Sequence, residues 1–286
     1  MPYHISAVVD AVDPRFAPTP AELRVLRLTT APDFPAEALQ EVLTAHFGFT
    51  SQILRIVNSN AFNVKETIDS TDEALRLLGL TLVRDIALSI VVFRFFSRVP
   101  RHDRLRRRTL WRHSVHTALV GRALAARYDP GNGDLYYAAG LLHDLGKLVV
   151  RVALGDDFYF LIEKSRHEQR RLDDVERQYL GFHHGEVGAL LIERWGLPET
   201  LTRLIRFHHH PEEAGTEHVG ECRYMHLSNL MSHYLEQEMN GLPELLEFEP
   251  RFEEIFEFTE DEFNTLARRV KSYVAASGQY FEIHQT

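Results

Sequence analysis

The stretch AAGLLHDLGKLVV, residues 138–150, constrains the fold more than any other. It reads as core, yet it holds an imidazole and a carboxylate side by side at His143 and Asp144, with Gly146 and Lys147 just behind. A buried polar group without a partner is costly, and an unpaired buried carboxylate more so. Whatever fold forms around this run must therefore bring partners to it from elsewhere in the chain.

The rest of the sequence predicts that those partners arrive on helices. Period-2 alternation is scarce, and no Asn-Gly or Asp-Gly turn joins two apolar runs. Helical spacing marks 19–29, 35–46, 53–57, the segment TDEALRLLGL ended by Gly79, and the buried run TLVRDIALSIVVFRFF. Ser70 or Thr71 caps the TDEALRLLGL helix, and Asn58 with Ser59 terminates the one before it. Longer helices are expected over 109–127, 134–153, 157–168, 171–195, 198–209 and 221–238, with two acidic amphipathic ones over 243–278. The basic run RVPRHDRLRRR at 98–108 reads as a solvated connection between two helical subdomains, with an anion-binding patch as the alternative.

Composition narrows the function. A net charge of −9 argues against a general nucleic-acid binder. The single cysteine, Cys222, permits no internal disulfide and fits a reducing compartment. The N-terminus lacks the order of a signal peptide, and the apolar run 86–96 is too short to span a bilayer, so a cytoplasmic protein is expected.

The chain holds 16 histidines, and many fall in four segments: WRHSVH at 111–116, LLHDLGK at 141–147, GFHHGEVG at 181–188 and RFHHHPEE at 206–213. Helix bundles build metal sites from side chains on facing helices. A mixed imidazole and carboxylate set suits Fe, Mn, Ni or Zn better than Ca or Mg.

Through these segments, together with ILRIVNSNAF, DEALRLLGL, LWRHSVHTA and GFHHGEVGALLIERWGLPE, the chain resembles the HD superfamily of metal-dependent phosphohydrolases. More narrowly, it resembles the HDOD family, the bacterial signalling branch. The resemblance runs from about residue 19 to about 235. It implies an all-α HD-type bundle (101–235) with an N-terminal helical subdomain (19–100), a short extension before it (1–18) and C-terminal helices packed on the bundle (236–286). It also implies metal ligands at His113, His143, Asp144, His184, His208 and His209, with Lys147 as a phosphate contact in an active site or a solvated helix residue otherwise. His116, His183 and His210 match no ligand position and are expected at the surface or beside the ligands.

Two departures bear on function. The last carboxylate of an active mononuclear site falls near Asn229, an amide, and the Gly-Tyr-Pro motif of the cyclic-di-GMP-cleaving HD-GYP relatives is missing after the paired histidines. The resemblance therefore implies a signal-transduction module that meets a regulatory protein partner, with no catalytic turnover and a degenerate site for a divalent transition metal. Its alternatives are a phosphohydrolase acting on a nucleotide or cyclic dinucleotide, and a nucleotide sensor that does not cleave.

Overall fold

Local sequence signals set most of the elements. The computed structural model describes residues 3–31, 36–59, 64–99 and 104–240, with positions 261, 264, 265 and 268. Among them the chain is all-α and contains no strand. Helix α1 (Ile5–Phe16) buries Val9, Val12 and Phe16 and packs on α9 and α12, defined below. Helix α2 (Pro20–Thr30) starts in a capping box. The Glu22 N–H donates to Thr19 Oγ1 at 3.2 Å, and the Thr19 N–H donates to the Glu22 carboxylate at 2.8 Å. Two donors that would be orphaned are thereby satisfied, and Pro20 sits where its missing N–H costs nothing.

Helices α3 (Ala36–Ala45) and α4 (Phe47–Val57) follow. Asn58 ends α4 as expected. Its amide donates to Leu54 O and Ile68 O, both at 2.8 Å, and its Oδ1 accepts from the Ile68 N–H at 2.7 Å. Ser70 caps α5 (Thr71–Leu78), and α6 (Leu80–Ser97) is largely buried. None of the described helices is long and apolar enough to cross a membrane.

The second half comprises α7 (Arg104–Tyr128), α8 (Gly133–Leu142), α9 (Leu145–Leu154), α10 (Asp156–Glu168), α11 (Leu172–Leu180), α12 (His184–Arg194), α13 (Glu199–Arg206), a 3-10 turn (Pro211–Ala214) and α14 (Val219–Asn240). Two expected helices are each divided. The run 134–153 breaks at His143–Asp144, and 171–195 breaks at Gly181–His183. Of the basic run, residues 100–103 lie outside the described residues, whereas Arg98 is tied down, donating to Glu22 Oε2 at 2.8 Å and to Ala17 O at 3.2 Å. Apart from four positions, the expected helices over 243–278 also lie outside them.

The two halves share one core. Trp111 of α7 meets Phe93 and Phe96 of α6 edge-on at 5.3 and 5.4 Å, and Phe95 stacks on Trp195 at 4.8 Å. Arg122 of α7 binds both carboxylate oxygens of Asp85 on α6 and also donates to Asp134 of α8 at 2.8 Å.

Two glycines bring the site together. A Cβ on Gly140 would lie 2.4 Å from the backbone of Ala118, so α8 touches α7 backbone to backbone. A Cβ on Gly146 would lie 1.9 Å from His184 O and 2.8 Å from Gly188 N, so α9 lies equally close against α12. These contacts place the His143–Asp144 step between the helix carrying His113 and the helix carrying His184.

Candidate metal centre

At the junction of α8 and α9, Asp144 leaves helical geometry with φ −96° and ψ 6°. Its carboxylate stands at the centre of the histidine constellation. Oδ2 lies 3.4 Å from His143 Nε2 and 3.8 Å from His113 Nε2. Oδ1 lies 3.6 Å from His184 Nε2 and 3.8 Å from His208 Nε2, and His184 Nε2 is 3.0 Å from His209 Nε2. The structure thus unites His113, His143, Asp144, His184, His208 and His209, in two groups that could each hold a metal ion. All six are buried, none more than 3% exposed.

Neighbouring acceptors determine the ring tautomers. His143 Nδ1 donates to Gly140 O at 2.8 Å, His208 Nδ1 to Ile205 O at 2.7 Å, and His184 Nδ1 to Glu176 Oε2 at 2.7 Å. A proton fixed on Nδ1 leaves the Nε2 lone pair of a neutral ring facing inward. Burial, with the neighbouring charges of His143 and His184, holds His208 well below the usual histidine range. Burial, with His208 and Arg171, does the same to His209. Burial also lowers His143. His184 moves the other way: burial opposes its charged form, but the Glu176 carboxylate raises it above the ordinary value. Burial would raise Asp144, yet His143 and Lys147 hold its carboxyl well below the carboxylate range.

The supporting carboxylates are not evident in the sequence. Glu176 is fully buried and accepts from both Nδ1 and the backbone N–H of His184, each at 2.7 Å. Asp173, one turn earlier on α11, accepts from Arg171 at 3.0 and 2.9 Å and from His210 Nε2 at 2.6 Å, and lies 4.0 Å from His209 Nδ1. Burial opposes the charge of Asp173, but His210 and Arg171 keep it ionised far below the usual range. A histidine whose other nitrogen is held by a carboxylate is the usual outer layer of a metal centre. Arg171 also donates to His209 O at 2.9 Å, and His226 Nδ1 donates to His208 O at 2.7 Å.

The structure bears on each pair of alternatives left open above. Lys147 is not solvated: it is 2% exposed and donates to Asp144 Oδ2 at 3.0 Å. His183 is not at the surface. It caps α12, its Nδ1 accepting the Gly185 N–H at 3.2 Å while its own N–H donates to Glu186 at 3.0 Å. His116 is buried, and His210 is held by Asp173. Asn229 does fall at the centre, with its Oδ1 2.8 Å from His113 Nε2.

The donor chemistry fits a divalent transition ion. Asp144 Oδ1, His143 Nε2 and His208 Nε2 are buried with no hydrogen-bond partner among the described residues. Each is a lone-pair donor aimed at other lone-pair donors, an arrangement that a cation between them relieves.

Helices converging on a buried aspartate ringed by histidines define a protein of the HD bundle class. The chain belongs to the HDOD family, whose domain matches residues 17–211. An uncharacterized protein of Treponema pallidum (strain Nichols) is 26% identical over 219 residues, covering 76% of this chain. The chain spans only 42% of that relative's length. A candidate signal transduction protein from Marinobacter aquaeolei VT8 superposes with a TM-score of 0.71 at 20% identity, over 94% of this chain and 61% of the other. An HDOD domain protein of unknown function from Geobacter sulfurreducens does so at 0.66 and 22%, over 93% and 89%. At these identities the two structures establish the shared fold.

Proposed function

We propose that the chain is a cytoplasmic regulator of the HDOD type that works through contacts with a protein partner and turns over no substrate. The observation carrying this reading is the closure of the centre, whose six donor side chains are at most 3% exposed. Metal-assisted hydrolysis needs an open coordination position and room for the substrate beside it. One surface cavity, of about 400 Å³ between α12 and α13, is lined by Glu193, Leu197, Glu199, Thr202, Arg203, Arg206 and Phe207, none of them a donor to the centre. Asn229 in place of a carboxylate supports the same reading.

On the outer surface, Phe160 of α10 (55% exposed) and Tyr179 of α11 (41%) meet edge to face at 5.8 Å, apolar area of the kind a partner covers. A metal-dependent phosphohydrolase acting on a nucleotide or cyclic dinucleotide is the second reading. It is favoured by the full set of donors around Asp144 Oδ1.

One assay separates the two. Protein loaded with Fe, Mn, Ni or Zn is incubated with a panel of nucleotides and cyclic dinucleotides, beside Asp144→Asn. The regulator reading expects no product above that of the variant. Product that depends on Asp144 establishes the hydrolase. Saturable calorimetric binding without product identifies a nucleotide sensor.

A further inference from the structure

The two halves of the centre are not equivalent, and the difference lies in Lys147. We infer that this chain takes a single metal ion, held by Asp144 Oδ1, His184, His208 and His209, and that the Lys147 ammonium replaces a second ion on the His113 side.

On the Oδ2 side the protein itself engages Asp144 Oδ2 and His113 Nε2, and His143 Nε2 alone is left without a hydrogen-bond partner among the described residues, one imidazole being too few to hold an ion. Lys147 Nζ sits 3.0 Å from Oδ2, and a buried ammonium must keep such a partner. His113 Nε2 faces Asn229 Oδ1 at 2.8 Å. An amide oxygen only accepts, so that nitrogen carries the proton and offers no lone pair. The other ring nitrogen of His113 lies 3.3 Å from Ser232 Oγ, and the ring stacks on His233 at 4.1 Å, which holds it in this pose. With carboxylate and ammonium paired, this half is neutral. A dication bound to Oδ2 would stand beside a fixed positive charge in a dry site, where the repulsion is poorly screened.

The Oδ1 side has the opposite character. Oδ1 and His208 Nε2 have no hydrogen-bond partner among the described residues. The proton of His184 is held on Nδ1 by Glu176, which turns Nε2 inward. His184 Nε2 and His209 Nε2 then face each other at 3.0 Å, a spacing that calls for a cation or a shared proton. Behind this half stand two buried anions, Glu176 and Asp173, and the Oε1 of Glu176 has no hydrogen-bond partner among the described residues. Asp173 is paired with Arg171 and His210, so the carboxylate that faces the Oδ1 side without a cationic Arg or Lys partner among the described residues is Glu176, while the Oδ2 side is already compensated by Lys147.

The test is an ion count. Apoprotein without a histidine tag is titrated with Co²⁺ and followed by its visible absorption, and the loaded protein is then counted by plasma mass spectrometry. The expected result is one ion per chain in wild type and in His113→Ala, none in His208→Ala, and two in Lys147→Gln/Asn229→Asp. Two ions in wild type, no uptake of Co²⁺ by wild type, or loss of the ion in His113→Ala that keeps its far-UV circular dichroism would each overturn the inference. Should His208→Ala fail to fold, the wild-type count and His113→Ala still decide. The count does not depend on turnover, so this inference and the regulator reading fail separately.

Discussion

Replacing Gly146 with alanine tests how the centre is assembled. The added Cβ would meet His184 O at 1.9 Å and Gly188 N at 2.8 Å, both rigid backbone atoms, where ordinary contact begins near 3.4 Å. Relief requires α9 and α12 to part by about 1.5 Å, because backbone at a packed crossing cannot swing aside as a side-chain tip can. Overpacking of this kind costs roughly 3 kcal/mol or more. For a chain of this size that lowers Tm by roughly 6–10 °C. The same displacement carries Asp144 away from His184, so bound metal should fall with stability. Differential scanning calorimetry and a metal count on the same sample provide the assay. Gly220→Ala is the control: it lies in α14 with nothing within 4 Å of the new Cβ, and it should be neutral or stabilising by up to about 1 kcal/mol. A Gly146→Ala protein that melts with wild type and keeps its metal would refute the close crossing as the device that builds the site.

Glu176→Gln keeps the shape but removes the charge behind His184, and metal affinity should fall by roughly 10- to 100-fold in competition with a chromogenic chelator. His226 carries a pH dependence. Burial pushes its pKa from 6.5 to about 4, so the unfolded chain takes up its proton first as pH falls. Its stabilisation is complete above about pH 6.5 and is lost progressively towards pH 4, and Tm measured across this window should slope less steeply in His226→Gln. Thr19→Ala breaks the capping box of α2 and should cost about 1 kcal/mol in urea unfolding while leaving metal content unchanged.

Much of this molecule is legible in its residue types alone. Helical spacing and capping residues mark α2, α3, α5 and α6 nearly to the residue and α4 at its C-terminal end, because Thr19, Ser70 and Asn58 each act on backbone within a few positions of themselves. The grouping of the six donor positions can be read because histidines in apolar context are conspicuous. The acidic residues behind them are not. In LDDVERQYL, Asp173 and Glu176 look like the polar face of a surface helix, and only the arrival of α12 and His209 buries them. A signal is present: they lie three residues apart, on one face, next to the buried Leu172 and Val175. The break before α12 also has a marker in Gly181, which ends α11 in the left-handed region at φ 87°. The break at His143–Asp144 has none, since neither glycine nor proline occupies it. Lys147 reads as a helix-surface cation until the fold places Asp144 within its reach.

The most direct test of a closed, non-catalytic centre is a crystal structure of the metal-loaded protein with anomalous data collected at the edge of the bound metal. The expected result is one anomalous peak among Asp144, His184, His208 and His209, with no solvent channel reaching it. A peak that carries bound water or phosphate and opens to bulk solvent would contradict the regulator reading and return the chain to the hydrolases.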